Sequence, residues 1–269
     1  MKISKTQIVA TIGPSSGTVD ILEQMIRAGM DVARLNFSWG THEKHAEYIQ
    51  NIRTAAQNLG RTVPLILDLS GPRGQNAEGH HFDKALSADQ SIITEKDRSD
   101  IEFGVAQHVE YIALSYVGSA ADIRDLQTQL EHLGSRIPVI AKIERAEAVE
   151  KIDEIIDAAD AVMIARGDLG NAIPFGKLLF VQKEILRKTK AAQKPVITAT
   201  QMLYSMTKSK TPTRAEIMDV SGAVFDGSDA VMLSEESANG SYPIEAVTTM
   251  ESIILDVEQY RSEHEFYGL

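Results

Sequence analysis

The chain has 269 residues, 43% hydrophobic and 24% charged, with a formal net charge of -11 and no cysteine. Disulfides, zinc-thiolate sites and a cysteine nucleophile are thereby excluded, and the acidic balance argues against nucleic acid or an anionic membrane as a partner. No apolar run approaches the roughly 20 residues that cross a bilayer, and the opening MKISKTQIVATIG runs into a strand without a cleavage site, so the expectation is a cytoplasmic protein.

Short β-rich apolar runs recur along the chain. In order they are IVATIG from Ile8, VARLNF from Val32, PLILDL from Pro64, YIALSY from Tyr111, VIAKIE from Val139, AVMIAR from Ala161, VITATQ from Val196 and AVMLSE from Ala230. Between them lie segments with helical spacing, such as HEKHAEYIQNIRTAAQNLG and AEAVEKIDEIIDAA. Alternating strand and helix predicts a parallel sheet, and runs that are continuously apolar predict strands covered on both faces. Eight such units predict an α/β fold of the (β/α)8 TIM-barrel kind, a single domain over residues 1–269. An open doubly wound sheet is the competing architecture, but the GxGxxG turn that usually follows its first strand is absent. Residues 73–91, RGQNAEGHHFDKALSADQS, are polar and have neither period, so they read as a long loop on the active-site side, either a lid, a residual linker or a mobile segment. The segment from Tyr242 onward reads as the last helix with a frayed tail.

Barrel enzymes place their chemistry where strands end, and these strand ends are polar. The second carries Arg34, Asn36 and Ser38, the third Asp68, the fourth Ser115, the fifth Lys142 and Glu144, the sixth Arg166 and Asp168, the seventh Thr200 and Gln201, and the eighth Ser234, Glu235 and Glu236. Most of these have plain structural readings as caps, ion pairs or strand hydroxyls. Lys142 differs, because it stands in VIAKIE, where the pattern demands burial and a buried ammonium is costly unless paired or used. Glu144 is two residues on and leaves the same strand face. Asp168 sits in Arg-Gly-Asp-Leu-Gly, whose glycines permit a tight turn that brings backbone N–H groups toward an anion. Two carboxylates with open positions suit Mg2+ or Mn2+, and a cation facing an ammonium would stabilise an enolate oxygen. A simple ion pair between Lys142 and one of the acids is the alternative.

Taken together, KTQIVATIGPSS, RLNFSWGTHEKHAE, LILDLSGP, AKIERAEAVE, ARGDLGNAIP, ITATQMLYSM, TPTRAE and DGSDAVMLSEESANGSYPIEAV resemble the pyruvate kinase family across nearly the whole barrel. The resemblance implies Glu144 and Asp168 as divalent-metal ligands and Lys142 as the lysine that steadies the enolate and the transferring phosphoryl group. It implies Thr200 beside the substrate on the proton-delivery route, Gly167 and Asp168 as backbone positions that hold the substrate carboxylate, and Arg34 as a phosphoryl contact. It also implies Asn36, Ser38 and Asp68 as ligands of a monovalent cation. TPTRAE is similar to a segment near a subunit contact in the family, which implies a homo-oligomer, a dimer through the barrel.

The departures gather on one half of the reaction. Loop 73–91 stands where the family inserts a lid domain, and with the sequence ending at Leu269 the expectation is a barrel without the family's allosteric domain. The family's LDTKGPEIR is LDLSGPRGQ here, so Leu69 removes a monovalent-cation oxygen, Ser70 a lysine and Gln75 an arginine; in RLNFSWG, Trp39 replaces a histidine. The expectation is therefore a metal-dependent lyase working through enolpyruvate on a small anionic 2-oxoacid, of the aldolase or oxaloacetate decarboxylase type. A minimal pyruvate kinase moving phosphoryl from phosphoenolpyruvate to ADP is the alternative, and a non-catalytic binding protein the second. Trp39, Lys44, Arg73, Tyr116 and the His80–His81 pair carry no motif that assigns them a role.

Overall fold

The computed structural model describes residues 4–76, 79–82 and 91–264. Strands and helices alternate as β1 (Gln7–Thr11), α1 (Val19–Ala28), β2 (Met30–Asn36), α2 (His42–Asn58) and β3 (Leu65–Asp68), followed by β4 (Arg73–Asn76) and β5 (Gly79–Phe82). Next come α3 (Glu95–Ala106), β6 (Tyr111–Leu114), α4 (Ala120–His132), β7 (Val139–Ile143), α5 (Ala146–Glu150), α6 (Ile152–Ala158), β8 (Ala161–Ala165) and α7 (Arg166–Ala172). The chain then forms α8 (Leu178–Ala191), β9 (Val196–Ala199), α9 (Arg214–Phe225), β10 (Ala230–Leu233), α10 (Glu235–Ala238) and α11 (Pro243–Glu263). Apart from β4 and β5, the strands close a parallel barrel in the order β1, β2, β3, β6, β7, β8, β9, β10, each beside its neighbour in sequence. Every one of the eight apolar runs supplies a barrel strand, and β3, β7, β8, β9 and β10 are buried along their whole length. No helix among the described residues is long and apolar enough to cross a membrane.

The chain divides into two compact units. One comprises the chain up to Arg34, Glu47–Pro64 and the chain from Ile197 onward; the other comprises Leu35–Ala46 and Leu65–Val196.

Both units use one device where strands begin. The side chains of Asp31, Glu110 and Asp160, each at the start of one barrel strand, accept the backbone N–H of Ile8, Leu65 and Val139 at the start of its neighbour, at 2.8, 2.7 and 2.8 Å. Part of the acidic surplus thus satisfies strand N–H groups at the end of the barrel opposite the strand C-termini. Lys194 plays the complementary part, donating to the carbonyls of Ile156, Asp157 and Ala159 that α6 leaves open at its C-terminus.

Two expectations are corrected by the backbone. Within 73–91, β4 and β5 pair antiparallel, with Arg73 opposite Phe82 and Asn76 opposite Gly79, so this stretch is a two-stranded ribbon where a loop was read; residues 83–90 lie outside the described residues. A ribbon held by backbone hydrogen bonds needs no apolar alternation, which is why the sequence pattern does not betray it. The segment Arg-Gly-Asp-Leu-Gly, expected as a tight turn, is the first part of α7. Both of its glycines, Gly167 and Gly170, fall inside the helix.

Candidate active site

The second unit brings Asp68, Ser115, Lys142 and Glu144 together at the ends of β3, β6 and β7. Lys142 is 3% exposed, and Asp68 and Ser115 are fully buried. Its Nζ lies 3.0 Å from Asp68 Oδ1, 2.6 Å from Ser115 Oγ and 3.0 Å from Glu144 Oε1. Of the three protons an ammonium has to donate, two go to Asp68 and Ser115, and Glu144 adds an ion pair. Ion pairing and placement are therefore the same fact: the pairs expected as the alternative to a functional lysine are what hold it in position.

Glu144 is fixed through its other oxygen, which accepts the backbone N–H of Tyr116 at 2.7 Å. Tyr116 adopts φ 59°, a left-handed conformation that a bulky residue takes only under constraint, and this turns its N–H toward the carboxylate. The turn after β3 is equally constrained. Gly71 has φ 65°, and a Cβ there would meet Tyr116 Cδ2 at 3.0 Å and Ser115 Cβ at 3.1 Å. Its N–H is held by Asp97, an acid that also closes a capping box with Thr94 at the start of α3.

That turn delivers Arg73, which the sequence left unassigned. Its Nε donates to the Ser70 carbonyl at 2.7 Å, and its guanidinium carbon stands 5.3 Å from the centroid of the Tyr116 ring. Burial disfavours its charge, but Glu144, Tyr116, Asp68 and Asp168 outweigh burial and raise its pKa. Asp168 shows the reciprocal effect: burial first and then the nearby Glu144 push its carboxyl up to about 6, against the pull of Arg73 and Lys142. Burial also raises the Tyr116 phenol.

Three carboxylates, Asp68, Glu144 and Asp168, thus face two cations, Lys142 and Arg73. The surplus negative charge falls on the Glu144–Asp168 pair, a hard-oxygen set that fits a Mg2+ or Mn2+ ion. Among the described residues no group of three or more His, Asp or Glu could hold a metal, so water and substrate would complete the coordination. The monovalent-cation set fits less well. Ser38 Oγ is buried with no hydrogen-bond partner among the described residues, but Asn36 Oδ1 accepts the Ser38 N–H at 3.1 Å and Asp68 Oδ1 is committed to Lys142.

Arg34, Thr200, Gln201 and Glu236 belong to the first unit. Arg34 is buried and donates to Thr11 Oγ1 at 2.8 Å, which in turn donates to the Leu233 carbonyl at 2.9 Å. Thr200 and Gln201 follow β9 with φ of 72° and 54°, two left-handed residues in succession, the first of them β-branched. Glu236 is wholly buried and accepts the N–H groups of Leu203 and Ser234, a structural tie of the loops after β9 and β10. Trp39 is 59% exposed, and the side chains of His80 and His81 lie outside the described residues.

A closed parallel barrel with a buried lysine and facing carboxylates beyond its strands defines a barrel protein built like an enzyme. A family model for the pyruvate kinase barrel domain matches residues 3–92 and 80–247, two matches that overlap at residues 80–92. A pyruvate kinase of Geobacillus stearothermophilus is 41% identical over 335 residues, covering 95% of this chain and 57% of its own length. One of Thermococcus litoralis is 38% identical over 334 residues, covering 96% of this chain and 70% of its own length, and one of Dictyostelium discoideum is 35% identical, with 98% and 68% covered. The chain belongs to the pyruvate kinase family, of which it carries the barrel part. It spans little more than half the length of the Geobacillus relative.

Proposed function

We propose that this chain transfers a phosphoryl group between phosphoenolpyruvate and ADP, through enolpyruvate and with a divalent cation. The observation that carries the reading is Lys142, buried, hydrogen-bonded to Asp68 and Ser115 and ion-paired with Glu144 at 3.0 Å. A cation so fixed costs no reorganisation when charge develops on a neighbouring oxygen. Lys142 would stabilise the enolate oxygen as the phosphoryl group leaves it for an oxygen of the ADP β-phosphate. Glu144 and Asp168 would hold Mg2+ or Mn2+, which supplies charge neutralisation at the enolate and phosphoryl oxygens. Gly167 and Asp168 would hold the substrate carboxylate, Arg34 would contact the phosphoryl group, and Thr200 would serve delivery of the proton that converts the enolate methylene into the methyl group of pyruvate.

The relatives are pyruvate kinases by name, which favours this reading over a carbon–carbon lyase. The lyase retains one observation in its favour: Leu69 stands where the family motif carries a hydroxyl and Ser70 where it carries a lysine. A coupled assay with phosphoenolpyruvate, ADP and Mg2+ or Mn2+, run beside deuterium exchange at the pyruvate methyl group, separates the two. Phosphoryl transfer supports the kinase. Metal-dependent exchange that requires Lys142, without transfer, selects the lyase; neither activity leaves a binding protein.

A further inference from the structure

In the cluster around Lys142, the two cations differ in what they have left to give. Lys142 donates hydrogen bonds to Asp68 and Ser115 and is ion-paired with Asp68 and Glu144. Arg73 uses only Nε, bonded to the Ser70 carbonyl, and among the described residues it makes no ion pair. Its two terminal nitrogens therefore keep their donors, arranged in the fork that matches a phosphate or carboxylate face.

The guanidinium is also fixed in place. Gly71 brings the turn onto Ser115 and Tyr116, Asp97 holds the Gly71 N–H at 3.1 Å, and the Tyr116 ring lies beneath the guanidinium. Between Asp68 and Gln75 it is the only cation in the sequence. The residue it stacks on, Tyr116, donates its backbone N–H to Glu144 at 2.7 Å, which puts the guanidinium one residue away from the acids that would hold the divalent ion.

We infer that Arg73 grips the phosphoryl group of phosphoenolpyruvate, a role that rests on the reading of the chain as an enzyme using that substrate. The phosphoryl end carries more charge and more acceptor oxygens than the carboxylate, and it goes to the cation with donors to spare. Pyruvate lacks that end and does not need Arg73.

Equilibrium binding of phosphoenolpyruvate and of pyruvate, each with saturating Mn2+, tests this on the wild type, Arg73→Ala and Arg73→Lys. Arg73→Ala is expected to weaken phosphoenolpyruvate by about 10–100-fold, the scale of a lost charge-assisted hydrogen bond, and to leave pyruvate unchanged. Arg73→Lys recovers only part, since it restores the charge but not the fork. Undiminished binding of phosphoenolpyruvate by Arg73→Ala overturns the assignment while leaving the proposed function standing. If Arg73→Ala binds neither ligand, Arg73→Lys decides: a loss confined to phosphoenolpyruvate upholds the assignment, and an equal loss on both overturns it. A wild type that binds no phosphoenolpyruvate removes both the assignment and the function on which it rests.

Discussion

Lys142 Nζ and Asp68 Oδ1 lie 3.0 Å apart across 74 positions of sequence, in surroundings that leave neither side chain in contact with bulk water. Removing one partner of such a pair strands the other, at a cost of about 3–5 kcal/mol. Lys142→Met should therefore lower both stability and turnover. The double variant Lys142→Met with Asp68→Asn should recover part of the stability and none of the turnover. Urea unfolding beside the coupled assay reads both; recovery of activity in the double variant would show that Lys142 serves the fold alone.

The divalent ion should bind through Glu144 and Asp168. Glu144→Gln is expected to weaken Mn2+ binding by at least about 10-fold, read by electron paramagnetic resonance of free Mn2+. Saturating Mn2+ should raise the thermal midpoint of the wild type, because a ligand at 100 times its Kd stabilises the native state by about 2.7 kcal/mol, and a chelator should reverse the rise. An equal rise in Glu144→Gln would place the ion elsewhere.

Acid should weaken the fold through His45. Its ring stacks on Phe37, with centroids 4.0 Å apart, and its Nε2 lies 2.8 Å from the Trp39 carbonyl. Burial lowers its pKa in spite of that carbonyl and of Asp100. The unfolded chain then binds the proton more readily, so the contribution of His45 is complete above the ordinary histidine pKa of about 6.5 and is lost as pH falls below it toward the native value. His45→Asn should flatten the decline of stability as pH falls below that ordinary value. Parallel declines in variant and wild type would assign the acid sensitivity to other groups.

Thr200 stores backbone strain. At φ 72° an alanine is strained nearly as much as a threonine, whereas glycine is not. Thr200→Gly should consequently be more stable than Thr200→Ala by about 1 kcal/mol, while both lose turnover with the hydroxyl. Equal stability of the two would mean that the left-handed conformation costs nothing here.

The barrel is legible in sequence because each strand must be covered on both sides, and runs such as AVMIAR and VITATQ satisfy that without interruption. Lys142 is legible for the same reason, as a charge where the pattern allows none. Arg73 and Tyr116 are not, because their placement depends on the left-handed Gly71 and on Asp97 some 26 residues away, neither of which leaves a periodic trace. The ribbon is not legible because RGQN and GHHF carry no apolar alternation. The α7 segment was misread because its two glycines favour a turn locally, while its position directly after β8 continues the chain into a helix.

The pairing of Arg73 with Phe82 has a further consequence. Opposed residues in an antiparallel pair lie only about 5 Å apart, so the backbone departs and comes back through a single narrow doorway. Whatever is hung on that doorway need not disturb the strands behind it, since lengthening a loop costs only about 0.6 kcal/mol per doubling. The aligned span of the Geobacillus relative, 335 residues against a chain of 269, and the overlap of the two family matches at residues 80–92 are both accommodated by such an arrangement. Here the short ribbon serves as a socket: a foreign module whose own ends lie close together could be spliced between Asn76 and Gly79, making this chain a chassis for modular construction.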